Sequence, residues 1–154
     1  MNLSANFTLK ELTKSDTATR LGLDNTPNDA ALENLKTLCE KVLQPVRDHF
    51  GKSVTVNSAY RSPESNAAVN GSKSSDHCKG MAADIEIPSI PNADLAQWIQ
   101  DNLNYTQLIL EFYTPGVPDS GWVHVSYNPH DLKKQVLTAQ AIDGKTTYLT
   151  GLVA

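Results

Sequence analysis

Three segments of this 154-residue chain carry side chains that could hold a metal ion and move a proton. His77 sits in a polar run, Gly71 to Lys79. Asp84 follows seven residues later inside the segment MAADIEI (Met81 to Ile87), and His124 lies inside WVHVSY (Trp122 to Tyr127). Two imidazoles and a carboxylate make a mixed nitrogen and oxygen set suited to zinc, and three protein ligands leave the fourth position to water, as catalytic rather than structural zinc requires. Zinc so held lowers the pKa of its water to roughly 7 and polarises a scissile carbonyl. Taken singly, each residue has a plainer reading: a solvated loop histidine, a buried turn or capping acid, a half-buried strand histidine.

Strand alternation is what joins them, because successive side chains of a strand point to opposite faces. In MAADIEI, Met81, Ala83, Ile85 and Ile87 share one face and leave Asp84 and Glu86 on the other. In QLILEFY (Gln107 to Tyr113), Leu108, Leu110 and Phe112 take the core face, leaving Ile109 and Glu111 opposite; in WVHVSY, Val123, Val125 and Tyr127 leave His124 with Trp122 and Ser126. Three strands thus each offer a ligand or a base on the non-core face, and Gly80 gives the backbone the freedom to bend between His77 and Asp84.

The remaining elements must hold these strands in place. Thr8 and Glu11 have the spacing of a capping box and open a short helix. Thr26-Pro27 opens a longer one, whose Leu32, Leu35, Leu38, Cys39, Val42, Leu43 and Val46 form an apolar stripe, with Pro45 expected to kink it or end it early. SVTVNSA (Ser53 to Ala59) reads as a strand, Arg61-Ser62-Pro63 turns into a short helix ending near Gly71, and Leu95, Ile99 and Leu103 mark a further helix. Asp143-Gly144 predicts a final hairpin. Helices at the front and closely linked strands at the back predict an α+β fold on an antiparallel sheet with helices packed on one side, in one domain spanning 1–154.

Composition narrows the class. The chain is 40% hydrophobic and 19% charged, with eight glycines and eight prolines dispersed along it, as in a globular protein. A net charge of -4 and a pI near 5.5, with no Lys/Arg block, give neither a nucleic-acid footprint nor a membrane-surface patch. The polar N-terminus lacks the apolar core of a secretory signal, so synthesis in the cytoplasm is expected. Cys39 and Cys78 lie in unlike contexts and do not read as a disulfide framework. A monomer is the expected state.

The run Ser75-Asp-His77-Cys-Lys-Gly80-Met-Ala82-Ala-Asp84 resembles the Ser-x-His-x-x-Gly-x-Ala-x-Asp motif of the zinc D-Ala-D-Ala carboxypeptidase-like peptidases, a group that includes phage endolysins and the hedgehog signalling domain. Trp122-Val-His124-Val-Ser126 resembles the group's second metal motif. Ser58-Ala-Tyr60-Arg61-Ser62-Pro63, followed by Asn66, resembles its upstream arginine segment. The front, from Asn6-Phe7 through Asp24-Asn25 to the Leu35 to Arg47 stretch, is similar to the small phage-associated branch.

The resemblance implies zinc held by His77, Asp84 and His124, with Arg61 stabilising the developing oxyanion or holding a substrate carboxylate. It also implies a general base. Many relatives place that acid three residues before the last histidine, where this chain has Gly121; the role passes to Glu111, with Asp119 as rival. Ser75 is a metal-loop hydrogen-bonding residue or a plain turn residue, Cys78 a bystander, and Trp122 and Tyr60 either line a groove or pack inside. His49 and His130 read as helix-end or loop residues, His130 with a further option of assisting the transition state. The implied substrate is a peptidoglycan stem peptide, cut at L-Ala-D-Glu, D-Ala-D-Ala or a cross-bridge, by an enzyme acting on the cell wall after release through a holin or from a virion. Two other readings stand beside it: a zinc-stabilised, non-catalytic cell-wall-binding module, and a dipeptidase for free D,D-dipeptides.

Overall fold

The computed structural model describes residues 1–72 and 74–153. A ribbon of β1 (Asn2–Ser4) and β2 (Phe7–Thr8) leads into α1 (Leu9–Thr13) and α2 (Asp16–Leu21). The capping box is present: Thr8 Oγ1 accepts from the Glu11 amide at 3.2 Å, and Glu11 Oε1 accepts from the Thr8 amide at 3.2 Å. The long helix begins at Asp29 rather than at Thr26-Pro27, because Asn28 supplies the N-cap, its side chain accepting from the Ala31 amide.

Pro45 neither ends nor breaks that helix. α3 (Asp29–Leu38) passes through a π-helical stretch, Cys39–Leu43, into α4 (Gln44–Phe50), and the Gln44 amide donates to the Cys39 carbonyl five residues back. The wider turn accommodates a residue that has no amide hydrogen and whose ring crowds the preceding carbonyls. The apolar stripe therefore runs uninterrupted: Leu35, Leu38, Cys39, Val42, Leu43 and Val46 are all fully buried. Each such leucine or valine contributes roughly 1.5–3 kcal/mol.

β3 (Thr55–Ser58), α5 (Pro63–Ala68), a 3-10 turn at Asp76–Lys79, β4 (Ala82–Glu86) and α6 (Asn92–Asn102) follow, then β5 (Gln107–Glu111), β6 (Trp122–Ser126), β7 (Gln135–Ile142) and β8 (Lys145–Thr150). Six strands form one sheet in the order β3-β4-β6-β5-β7-β8. Every pair is antiparallel except β5 and β7, which run parallel because the chain leaving β6 crosses β5 and adds β7 on its far side. Asp143 and Gly144, with φ of 52° and 75°, make the two-residue turn of the last hairpin.

One face of the sheet is buried. Ala83, Ile85, Leu108, Leu110, Val123 and Val125 join Leu12, Leu35, Leu38, Val42, Leu95 and Ile99 of the helices in a single apolar cluster. Phe112 departs from the expected alternation: at φ 57° it ends β5, and its ring lies 5.5 Å from that of Trp122 instead of in the core. Met81, just before β4, is likewise outside the cluster. The opposite face of the sheet carries the site. No helix among the described residues is long and apolar enough to cross a membrane.

Candidate metal centre

Asp84 and His124 stand directly abreast on β4 and β6, and His124 stands abreast of Ile109 on β5. His124 Nδ1 lies 3.0 Å from Asp84 Oδ1, and His77 Nε2 lies 3.5 Å from Asp84 Oδ2. Among the described residues these three form one group whose ligand atoms all fall within 4.8 Å of one another. Bonds of about 2.0–2.1 Å in a tetrahedral zinc site set ligand atoms ~3.3 Å apart, so the donor types and spacings fit that ion.

His77 is aimed by its surroundings. Ser75 Oγ accepts from the His77 amide at 3.2 Å, making Ser75 the cap of the 3-10 turn as well as a residue of the cleft. The His77 ring Nδ1 donates to the Ala59 carbonyl at 2.7 Å, which turns Nε2 toward Asp84. The loop then closes through Gly80 at φ 73°, where an added Cβ would strike the Ala31 carbonyl and sit 3.1 Å from Leu35 Cγ. Asn34 of α3 donates to the Lys79 carbonyl at 2.9 Å. The long helix thus supports the loop directly.

The electrostatics follow from burial against pairing. Burial works to raise the Asp84 pKa, but the hydrogen bonds from His124 and His77 prevail and hold it below the usual carboxylate range. Burial works to lower the His124 pKa, and the hydrogen bond and charge of Asp84 prevail and raise it. Both shifts run in the direction that favours the ion pair of Asp84 carboxylate and His124 imidazolium.

These groups open into a cleft of about 410 Å³ that Arg61, Glu111, Trp122, Gln107, Ile109 and Tyr148 also line. Glu111 stands abreast of Trp122, whose indole Nε1 donates to Glu111 Oε2 at 2.7 Å. Burial raises the Glu111 pKa, the Asp84 charge adds to it, and His124 and the indole hydrogen bond oppose. Arg61 is clamped on both sides: Asn25 Nδ2 donates to the Tyr60 carbonyl at 3.1 Å, and the Ser62 amide donates to Asn25 Oδ1 at 2.7 Å. The Arg61 amide itself donates to the His77 carbonyl at 3.1 Å. The buried Nε of Arg61 has no hydrogen-bond partner among the described residues.

Gly121, at the position where many relatives carry their acid, has φ 65°, and a Cβ there would overlap the Glu111 carbonyl oxygen and come within 2.7 Å of the Phe112 carbonyl carbon. No side chain fits. Asp119 lines a different depression, with Glu86 and Asn92, and His130 is exposed and outside the cleft lining. Tyr60 is buried in the core. Cys78 faces a separate pocket beside Pro63 and Asn66, and burial raises its thiol. Burial pushes the Cys39 thiol up to about 12. His49 stacks on Trp98 at 4.4 Å.

Sequence reasoning missed several residues of the cleft lining, Gln107 and Tyr148 among them. Alternation in KTTYLT puts Thr146, Tyr148 and Thr150 on one face, but which face depends on the pairing of β7 with β5, which no local pattern encodes.

Two histidines and a carboxylate that could hold a metal ion, with the Glu111 carboxylate in the same cleft, stand on one face of an α+β sheet. The chain belongs to the peptidase M15 family, whose model matches residues 5–126. That span contains Arg61, His77, Asp84, Glu111 and His124 and ends at the last residue of β6. Among curated proteins none matches the chain.

Proposed function

We propose that this protein is a zinc metallopeptidase that hydrolyses peptide bonds in bacterial peptidoglycan stem peptides, acting on the cell wall as an endolysin-like enzyme. The observation that carries the reading is the convergence of His77, Asp84 and His124 on one point, with Glu111 and Arg61 lining the same cleft. His77 Nε2, Asp84 and His124 Nδ1 would hold the metal. When bound, zinc supplies the Lewis acidity that polarises the scissile carbonyl and acidifies water.

The chain's own residues do the rest. Glu111, outside the ligand set, takes a proton from the attacking water and returns it to the leaving amine, a role its burial suits by bringing its pKa upward toward working pH. Trp122 orients its carboxylate through the indole hydrogen bond. Arg61 carries the negative charge that grows on the carbonyl oxygen, held in position by Asn25 and by the His77 carbonyl.

One observation favours a second reading. Gly121 stands where many relatives have their acid, as a non-catalytic zinc-stabilised cell-wall-binding module would allow. The Glu111→Gln variant separates the two. On the catalytic reading it keeps one zinc per chain and the wild-type melting temperature while stem-peptide cleavage falls by about 10²–10⁴-fold. Wild-type cleavage by that variant removes Glu111 from the mechanism, and absence of cleavage by the zinc-loaded wild type favours the binding module.

A further inference from the structure

The family match ends at residue 126, yet the cleft does not. β7 and β8 extend the same sheet, and their register continues the rows of the site face. Trp122 stands abreast of Glu111, Glu111 of Ala139, and Ala139 of Tyr148. Residues abreast share a face, so one row crosses four strands from the proposed base to Tyr148.

The row has a shape suited to a ligand. Ala139 is fully buried and small, so the floor between Glu111 and Tyr148 stays low. Tyr148 rises at the far end and lines the cleft while 54% of its surface remains exposed. An aromatic ring standing at the rim of a polar cleft offers an apolar face to a peptide and a hydroxyl to its backbone.

Strand spacing sets how far such a ligand must reach. Three steps of ~4.8 Å separate the strand of His124 from that of Tyr148, about 14 Å, and an extended peptide advances about 3.3 Å per residue. A peptide laid across the strands therefore meets Tyr148 about four residues from the bond at the metal centre. A free dipeptide, about 7 Å long, falls short of it.

We infer that Tyr148 is a specificity-determining residue, and that the β7–β8 hairpin makes this a cleft for an extended peptide rather than for a free dipeptide. The inference deepens the peptidase reading and rests on it for the position of the scissile bond.

The test measures binding apart from turnover. In the zinc-loaded Glu111→Gln background, affinity for a stem pentapeptide and for D-Ala-D-Ala is determined by calorimetry, with Tyr148→Ala and Tyr148→Phe added in turn. The pentapeptide binds more tightly than the dipeptide; Tyr148→Ala weakens pentapeptide binding about tenfold, and Tyr148→Phe retains most of it. Tyr148 is more than half exposed, so its truncation removes little packing, and the melting temperature checks this. Equal affinity for the two peptides, or parent-like pentapeptide binding by Tyr148→Ala, overturns the inference. Cleavage by zinc-loaded wild type judges the peptidase reading separately. Tyr148-dependent binding without cleavage removes the peptidase and leaves the subsite, and cleavage with Tyr148-independent binding does the reverse.

Discussion

Gly121 packs against the backbone carbonyl of Glu111, and the contact leaves no room for a side chain at position 121. An acid cannot be restored there in this chain without moving the strand end that carries Glu111. One residue's lack of a side chain and the other's proposed role are two sides of the same packing.

Gly121→Ala adds a Cβ that overlaps that carbonyl, at a φ of 65° that L-residues adopt with strain. The expected loss of stability is about 2–4 kcal/mol. Thermal unfolding checks it, and Gly121→Glu should lower cleavage rather than raise it. A Gly121→Ala protein that melts with the wild type contradicts the packing.

Metal binding should depend on pH through His124. Its folded pKa lies above the unfolded value of 6.5, so the Asp84–His124 pair stabilises the metal-free protein fully below pH 6.5 and less as pH rises through the folded value. Asp84, held below its unfolded 3.8, contributes above that pH and loses its contribution as pH falls. Zinc must displace the His124 proton, so the rise in melting temperature on adding zinc grows from pH 6 to pH 8. A zinc effect that is flat across this range would show that His124 is not a ligand.

Trp122→Phe removes the indole donor that lowers the Glu111 pKa. With the base less acidic, the acid limb of the kcat/KM profile moves to higher pH. An unmoved limb would separate Trp122 from the base.

Asn25→Ala breaks three hydrogen bonds, to the Thr13 and Tyr60 carbonyls and from the Ser62 amide. At about 1 kcal/mol each, the cost is about 3 kcal/mol. Because Tyr60 and Ser62 flank Arg61, kcat should fall more than the remaining folded fraction accounts for. Denaturant unfolding and kinetics on the same sample distinguish the two effects.

Much of this site could be read in the sequence because its physics is local. Alternation in the strands at Asp84 and His124 fixed their shared face once one face had to be buried, and Glu111 followed by the same rule. What was hidden is non-local. Pro45 promised a break, but a π-helical stretch five residues long absorbed it. Phe112 obeyed alternation in sequence and left it through a positive φ. The parallel pairing of β7 with β5, which brings Tyr148 into the cleft, depends on a crossover that no hydrophobic period records.

The central claim is tested most directly by mass spectrometry of purified muropeptides after incubation with the protein, with chelator, and with chelator followed by zinc. The account predicts new fragments from stem peptides that vanish with chelator and return with zinc, their masses identifying the bond cut. Folded, zinc-loaded protein that releases no fragment from any stem peptide would contradict it.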